Sequence, residues 1–194
     1  MKHFLPLAFL VVSLPAWAQS GELWFSGGES ILSNSGLGSN TVAGKKDDYK
    51  LDNGLRFGFR FTTNTETIFG HEFGYTYNRS HLRLNGVDQG GMAIHQGGYN
   101  FLVYGTKEGT RIRPFGTGGV HFSNFVPPGS SATSGGGNTK FGLNYGGGVK
   151  VRIDSKWSAR VDFRRYETTK PFDLPLKSGW LHQTEISAGA GIHF

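Results

Sequence analysis

Several features that are common in exported proteins are missing from this sequence. It contains no cysteine among its 194 residues, which excludes a small domain held together by disulfides. After residue 18, no stretch approaches the roughly 18 consecutive apolar residues that a membrane-spanning helix needs. No group of His, Asp and Glu residues has the spacing of a metal site, so we predict neither a metal nor another cofactor.

Acidic residues are also fewer than basic ones. The chain carries 20 Lys and Arg residues against 14 Asp and Glu residues, a formal net charge of +6. A basic balance can favour nucleic acid as a partner. Here the basic residues are scattered and the chain begins with an export signal, so we predict no nucleic-acid partner.

That export signal reads MKHFLPLAFLVVSLPAWA. Lys2 precedes a short apolar run, and Ala16 and Ala18 lie where a signal peptidase requires small residues. Residues 1–18 are therefore predicted to be a cleaved signal peptide. The remaining residues, 19–194, are enough for one domain.

Glycine and aromatic residues are abundant instead. The chain has 31 glycines and 16 phenylalanines, and so much glycine disfavours helices. Apolar and polar residues alternate along most of the exported chain, which is the period of a half-buried strand. Eight such segments can be distinguished: 21–33, 51–63, 66–80, 91–105, 110–125, 139–153, 156–168 and 181–194. Each is longer than the usual five or six residues of a globular strand and long enough to cross a bilayer.

The connections between these segments alternate in length. Three are tight turns with the sequences TNT, TKEG and DSK, whereas four are long: 34–49, 80–90, 126–138 and 167–180. An even number of antiparallel strands with short turns at one end and long loops at the other is typical of outer-membrane barrels. The predicted fold is therefore all-β, an eight-stranded antiparallel up-and-down transmembrane β-barrel, present as a monomer.

The composition of the two strand faces predicts which face meets lipid. In the seventh segment Trp157, Val161 and Phe163 alternate with Arg160 and Asp162. The polar positions are mostly small residues with isolated charges, which suits the narrow lumen of a small barrel better than a water-exposed surface. Because buried charges must be paired, we predict a luminal ion-pair network, with surplus positive charge hydrated near the barrel ends. Its predicted members are Glu22, Arg56, Arg60, Glu72, Arg111, Arg113, Lys150, Arg152, Arg160, Asp162, Arg164 and Glu185.

Three features fit this pattern poorly. His71 falls on the lipid-facing side, where an ionisable group is costly at mid-depth. Pro114 removes a hydrogen-bond donor from the ladder near the start of the fifth segment. The fourth segment alternates poorly until Tyr99, which predicts a bulge or a register error within it.

Four stretches carry a family resemblance: RPFGTGGVHF, FGLNYGGGVKVRI, WSARVDFRRYE and SAGAGIHF. They resemble the outer membrane protein beta-barrel domain family, a group of small eight-stranded barrels that includes OmpA-like transmembrane domains. The resemblance implies an integral outer-membrane protein of a Gram-negative-type bacterium, surrounded by outer-membrane lipid and lipopolysaccharide. The closing Ile192 and Phe194 resemble the C-terminal signal that such proteins present to the barrel assembly machinery.

The stretch GGVHFSNF, residues 118–125, raises the alternative of an enzyme. His121 and Ser123 resemble the His-x-Ser-Asn motif of outer-membrane lipid A 3-O-deacylases, in which a histidine activates a serine that attacks an acyl ester. Alternation points this pair into the lumen, whereas a lipid A chain arrives from the membrane. No acidic residue lies between Glu108 and Asp154, and the motif of that family belongs to the penultimate strand. We therefore expect no enzymatic activity.

The long connections are where a barrel scaffold carries its function. Basic residues in the first two could contact acidic polysaccharide or lipopolysaccharide phosphate: Arg79, His81, Arg83, Lys45 and Lys46. We expect a structural or surface-recognition role, similar to that of an adhesin, through loops that contact an extracellular ligand. The alternatives are a small anion-preferring pore and the esterase described above.

Overall fold

The computed structural model describes residues 20–32, 36–42, 45–65, 68–132, 137–171 and 179–194. These residues contain ten β-strands: β1 (Ser20–Leu32), β2 (Gly36–Val42), β3 (Lys45–Leu51), β4 (Gly54–Thr65), β5 (Phe69–Leu84), β6 (Val87–Tyr104), β7 (Ile112–Val126), β8 (Asn138–Arg152), β9 (Trp157–Thr169) and β10 (Trp180–His193). In the same residues, no helix is long and apolar enough to cross a bilayer. The predicted signal peptide lies outside the described residues.

Eight of the strands close into an antiparallel up-and-down barrel, as predicted. β1 pairs with β4 on one side and with β10 on the other, and the remaining neighbours follow the chain from β4 to β10. The seam between β1 and the residue that follows β10 closes where Gly21 and Phe194 exchange two backbone hydrogen bonds of 3.0 Å. We call the end of the barrel with these residues and the short connections the turn end, and the opposite end the loop end.

The exposure of the side chains confirms the predicted orientation of the strands. On β9, Trp157, Val161 and Phe163 are 46%, 57% and 57% exposed, whereas Arg160 and Asp162 are 3% and 1% exposed. β4, β7 and β10 alternate in the same way. Large apolar side chains therefore cover the outside of the barrel, as expected for a wall that faces hydrocarbon, and polar side chains fill the inside.

The first long connection is a hairpin, so the prediction of a loop over 34–49 was wrong. β2 pairs with β3, and β3 continues onto β5 with Tyr49 opposite Leu84. The pairing of β4 with β5 ends at Leu55 opposite Arg79. Beyond that point β5 would present an unpaired edge, and β3 covers it.

The second long connection is also shorter than predicted. β5 and β6 stay paired up to Leu84 and Val87, so Asn85 and Gly86 alone turn the chain. Both residues have positive φ, 51° and 85°. A two-residue hairpin turn of this kind favours Asn-Gly, so the turn was readable from the sequence and the prediction of a loop over 80–90 was wrong.

Together these strands make a sheet that stands beyond the rim of the barrel. We call it the outer sheet; it comprises β2, β3, residues 79–84 of β5 and residues 87–93 of β6. The third long connection agrees with the prediction, since β7 ends at Val126 and β8 begins at Asn138. The fourth lies between β9 and β10, also at the loop end.

The features that fitted the pattern poorly have local explanations. His71 Nδ1 lies 2.6 Å from the Tyr99 hydroxyl, so its polar atom has a partner on the lipid-facing wall. Pro114 lies near the start of β7, and its carbonyl accepts the N–H of Gly105 at 2.8 Å. The predicted irregularity in the fourth segment was wrong. β6 pairs without interruption there, and the register shift lies opposite Gln89, in the outer sheet.

Candidate functional site

An ion-pair network fills the middle of the lumen. Glu72 of β5 and Asp162 of β9 contact the same two guanidinium groups, those of Arg160 and Arg164. Arg160 Nη1 donates to Glu72 at 2.6 Å, and its Nε and Nη2 donate to the two Asp162 oxygens at 2.8 Å. Arg164 Nη2 donates to Glu72 at 2.8 Å. All four side chains are 3% exposed or less, so each charge is balanced by contact rather than by bulk water.

Glu185 of β10 extends this network toward the loop end. Arg60 Nη2 donates to its Oε1 at 2.5 Å, and Arg56 Nε lies 3.0 Å from its Oε2. The hydroxyls of Tyr166 and Ser187 donate to it at 2.9 and 2.5 Å. A carboxylate with this many donors is fully compensated for the loss of water.

Glu22 holds a separate group of side chains nearer the turn end. Its Oε1 contacts Lys150 Nζ and accepts a hydrogen bond from Asn64 Nδ2 at 2.9 Å. The indole N–H of Trp24 donates to Oε2 at 3.0 Å, and His193 Nδ1 lies 3.3 Å from Oε1. These partners come from β1, β4, β8 and β10, so the group ties the closing strands together.

The surplus positive charge is accommodated in two ways. The guanidinium of Arg113 lies 3.7 Å from the centre of the Tyr104 ring and Lys150 Nζ lies 5.0 Å from it, so an aromatic face stabilises buried cations. Arg152 is half-buried at the turn end, where we expected hydrated charge. The luminal position predicted for Arg111 was wrong, because this residue precedes β7 and is exposed.

An apolar cluster closes the lumen at the loop end. Seven buried residues form it, with Tyr49 and Leu82 packed against them: Leu32, Leu37, Leu51, Met92, Ile94, Phe125 and Leu181. Leu37 and Leu51 belong to the β2–β3 hairpin and are 0% and 1% exposed, so the hairpin packs across the mouth of the barrel. Sequence reasoning missed this cap. The signal was the change from polar to aliphatic residues at luminal positions, as at Ile94 and Leu181.

A second apolar cluster lies toward the turn end. It consists of Leu102, Tyr104 and Phe115, which are buried on adjacent strands β6 and β7. The middle of the charged network therefore has an apolar cluster on its loop side, and on its turn side this smaller cluster, against which Arg113 and Lys150 also pack. A cavity of about 20 Å³ remains beside Arg56 and His121, which is enough for a single water molecule.

The structure separates the two residues of the candidate esterase. His121 and Ser123 point into the lumen, as alternation predicted, and are 4% and 0% exposed. His121 Nε2 lies 2.8 Å from the Thr168 hydroxyl, and its Nδ1 has no hydrogen-bond partner among the described residues. Ser123 instead accepts a hydrogen bond from Gln96 at 2.8 Å. A serine becomes a nucleophile only when a base takes its proton, so this pair is not arranged for acyl transfer.

Metal chemistry has no evident centre either. In the part of the chain that the structure describes, no three His, Asp or Glu side chains are grouped closely enough to hold a metal ion. The carboxylates of the lumen are instead engaged by guanidinium and ammonium groups. The absence of any cofactor stays a prediction.

Three of the predicted recognition residues lie on the outward face of the outer sheet. Arg79, His81 and Arg83 alternate along β5. Arg83 Nε pairs with Asp52 at 2.6 Å, and His81 Nδ1 lies 2.8 Å from Asp88. All are partly or fully exposed, and exposed pairs of this kind exchange readily for other partners because they contribute little free energy.

Hydrogen bonds shift the titration of two groups in the outer sheet. The N–H of Gly90 donates to Asp88 at 2.7 Å, and this bond is the main cause that lowers the pKa of Asp88, with His81 adding to it. The hydrogen bond to Asp52 raises the pKa of Arg83. The outer sheet therefore keeps both of these groups charged at neutral pH.

The remaining predicted residues, Lys45 and Lys46, belong to β3, where they pair with β2; their side chains lie outside the described part. Sequence reasoning missed Lys50, which is exposed on β3 and lies opposite Arg83. Opposite residues of neighbouring strands share a face of the sheet. We call the outward-pointing basic residues of the outer sheet the basic face: Lys50, Arg79, His81 and Arg83.

The predicted assembly signal lies at the seam where the chain closes. Phe194 is 72% exposed and stacks on Phe61 of β4, with ring centres 6.0 Å apart. Ile192 lies opposite Leu23 of β1. Both side chains face outward, and recognition by the assembly machinery stays a prediction.

Comparison with known proteins identifies the family to which this architecture belongs. The model of the family described as "Outer membrane protein beta-barrel domain" matches residues 4–194. No protein of curated function matches the sequence. OprG from Pseudomonas aeruginosa superposes with a TM-score of 0.61 at 14% identity, over 90% of this chain and 96% of that one.

Two further solved structures are similar. AlkL, determined by solid-state NMR in DMPC bilayers, gives a TM-score of 0.60 at 13% identity, over 100% of this chain and 97% of that one. Ail from Yersinia pestis, solved in complex with the heparin analogue sucrose octasulfate, gives 0.52 at 11% identity, over 91% and 99%. At such identities the likeness shows a common barrel fold alone.

Proposed function

The chain belongs to the outer membrane protein beta-barrel domain family, and from that premise we propose that it is a non-enzymatic surface-recognition barrel. In this role the barrel anchors the chain in the outer membrane, and the outer sheet presents its basic face outside the cell. The ligand is an anionic glycan, either the phosphorylated sugars of lipopolysaccharide or an acidic surface polysaccharide. The protein works as a monomer without metal or cofactor.

One observation carries this proposal: the outer sheet is a packed structure and not a set of separate loops. Leu37 and Leu51 fix the hairpin to the mouth of the barrel, while Lys50 and Arg79 point away from it and are exposed. A packed sheet holds the backbone positions of these residues before the ligand arrives, which lowers the entropic cost of binding.

The filled lumen supports recognition over conduction. A pore requires a continuous hydrated path, but ion pairs occupy the middle of the lumen and apolar clusters lie toward both ends. The luminal charges are therefore suited to stabilising the barrel. The same burial keeps His121 and Ser123 away from lipid substrates, which supports a role without catalysis.

The basic face has the chemistry to bind phosphate or sulfate. A guanidinium donates two parallel hydrogen bonds to such groups, and a lysine adds a mobile positive charge. Arg79 and Lys50 are exposed and take part in no carboxylate ion pair among the described residues. Ail was solved with a sulfated sugar analogue, so a barrel of this fold is able to hold a polyanion.

Binding of soluble, fully deacylated lipopolysaccharide to the refolded protein tests the proposal. Arg79→Ala combined with Lys50→Ala should weaken binding about tenfold or more, because a hydrogen bond to a charged group contributes about 1.5–3 kcal/mol. Lys156→Ala removes one exposed positive charge at the turn end and should leave the affinity unchanged. Equal binding by the double variant and the wild type, both shown to be folded, would remove the proposal.

A further inference from the structure

On the outer wall of the barrel, a row of aromatic residues is interrupted by a glycine. The residues that lie in register across β4 to β8 are Phe59, Tyr75, Gly97, Phe122 and Phe141. All occupy outward positions, and Phe59, Phe122 and Phe141 are exposed to the bilayer. Gly97 therefore contributes no ring of its own to this aromatic band, and the neighbouring Phe122 ring leans over its backbone.

The gap forms a groove of about 470 Å³. Its aromatic walls are Phe59, Phe61, Phe73, Tyr75 and Phe122. Its floor is the backbone at Gly97, with Gly74 and Gly98 beside it. Gly74 and Gly98 lie opposite each other at luminal positions, so neither adds a side chain to the outer wall beside Gly97. A further hollow of about 150 Å³ continues beyond Phe122.

Polar groups border this groove toward the loop end. The Tyr75 hydroxyl lies 2.6 Å from His95 Nδ1, and Arg79 Nη1 donates to the Tyr77 hydroxyl at 3.4 Å. Since a strand rises about 3.3 Å per residue, Arg79 stands about 13 Å from Tyr75 along β5. From Phe73 toward the loop end, the outward residues of β5 thus change from phenylalanine through tyrosine to arginine. The layers of the membrane follow the same order, from the hydrocarbon core through the interface to the headgroups.

We propose that the groove binds an acyl chain of a phosphorylated outer-leaflet glycolipid whose phosphate contacts Arg79. The position in the hydrocarbon layer selects a lipid tail, and the guanidinium at the upper end selects an anionic headgroup. A recess between rigid rings gives a tail more van der Waals contact than fluid neighbours do, which is the source of binding where all surroundings are equally apolar. The headgroup contact rests on the proposed function; the acyl groove does not.

Gly97→Val tests the groove. A Cβ at Gly97 would lie 2.6 Å from the Phe122 ring, so the added side chain displaces that ring and fills the recess. Gly116→Val is the matched control, since Gly116 also faces outward and an added Cβ there meets its nearest atom at 4.0 Å. Both substitutions place the same β-branched residue in a strand, where it is favoured.

Native mass spectrometry counts the glycolipids that stay on the protein after refolding in phospholipid nanodiscs with added intact lipopolysaccharide. The wild type and Gly116→Val should each retain one glycolipid molecule per protein. The fraction of protein that carries this glycolipid should be about tenfold lower for Gly97→Val. Phe122→Ala removes a wall without adding bulk and should show the same loss. This second variant keeps the test decisive if Gly97→Val does not fold.

Deacylated lipopolysaccharide separates this inference from the proposed function. Gly97→Val should bind the deacylated form as well as the wild type does, because that ligand has no tail. If Gly97→Val and Phe122→Ala both retained the intact lipid as well as the wild type does, the acyl groove would be overturned, whatever the effect of Arg79→Ala. A wild-type dimer that Gly97→Val converts to a monomer would also overturn it, because a second copy would then occupy the groove. If Arg79→Ala changed neither ligand, the headgroup contact and the proposed function would fail.

Discussion

Replacing Glu72 by glutamine asks whether the luminal network is ionised and dry. The middle of the lumen holds four guanidinium groups and three carboxylates: Arg56, Arg60, Arg160, Arg164, Glu72, Asp162 and Glu185. Glu72→Gln keeps the shape of the side chain but removes its charge. Arg160 and Arg164 then lose an anionic partner that stood 2.6 and 2.8 Å away.

The expected cost is large because the site is shielded from solvent. Glu72 is 0% exposed, and removing one partner of a buried ion pair typically costs about 3–5 kcal/mol. That corresponds to between about two and four orders of magnitude in the folding equilibrium. Glu29→Gln is the control, since Glu29 is exposed on β1 and a surface change of this kind stays within about 0.5 kcal/mol.

Urea unfolding in lipid vesicles, followed by tryptophan fluorescence, measures the difference. Trp24 reports directly on the lumen, because it is 1% exposed and its ring centre lies 5.6 Å from the Arg160 guanidinium. Glu72→Gln should lower the urea midpoint without changing the slope, and adding Arg164→Met should recover part of the loss. Equal midpoints for the Glu72 and Glu29 variants would refute the reasoning, since water would then be screening these charges and the lumen would be open.

Two further outcomes follow from the structure. Lipid A incubated with the wild type or with Ser123→Ala should keep its mass in both cases, because Ser123 and His121 are buried and not bonded to each other; acyl release that depends on Ser123 would contradict this. Asp88 has a pKa lowered from 3.8 by the N–H of Gly90, so its contribution is complete above that value and is lost as the pH falls through the lowered pKa. The protection factor of the Gly90 amide, relative to an unstructured amide at the same pH, should accordingly be unchanged at pH 5 and fall only in stronger acid. A lower protection factor already at pH 5 would show that the carboxylate does not hold this turn.

The barrel and its orientation were predictable because strand periodicity is a local property. Successive side chains of a strand point to opposite faces whatever the strand pairs with, so Phe163 and Arg164 were assigned to lipid and lumen without knowledge of any neighbour. The burial of His121 and Ser123 followed from the same rule. Arg111 shows the limit of this periodicity rule. The rule assigned the residue to the correct face, but the strand begins one residue later, at Ile112.

The pairs within the lumen were not predictable from the sequence. Arg60 and Glu185 are 125 residues apart, and only the closure of the barrel brings β4 near β10 across β1. Periodicity predicts that a charged side chain faces the lumen, but it does not predict which residue of another strand lies at the same level along the barrel axis. The register of all eight strands decides that, so most members of the network were predictable, Arg111 being an exception, and their partners were not.

The outer sheet likewise has one part that was predictable from the sequence and one part that was not. Asn85 and Gly86 were a local turn signal that the sequence contained, because the two-residue turn needs positive φ at both positions. The β2–β3 hairpin had no such signal, since its strands form against the free edge of β5 and over the apolar mouth of the barrel. Its position, and with it the place of Lys50 beside Arg83, depends on contacts that exist only after closure.

The sequence by itself determined that this chain forms a closed sheet with apolar residues outside and charged residues inside, because each choice depends on neighbours one or two positions away. The tertiary structure alone decided which charges meet, that apolar clusters lie toward both ends of the lumen, and that a groove forms beside Gly97 in the aromatic wall. Those features depend on side chains from different strands at one height of the barrel, and that height is set by the register of the whole sheet.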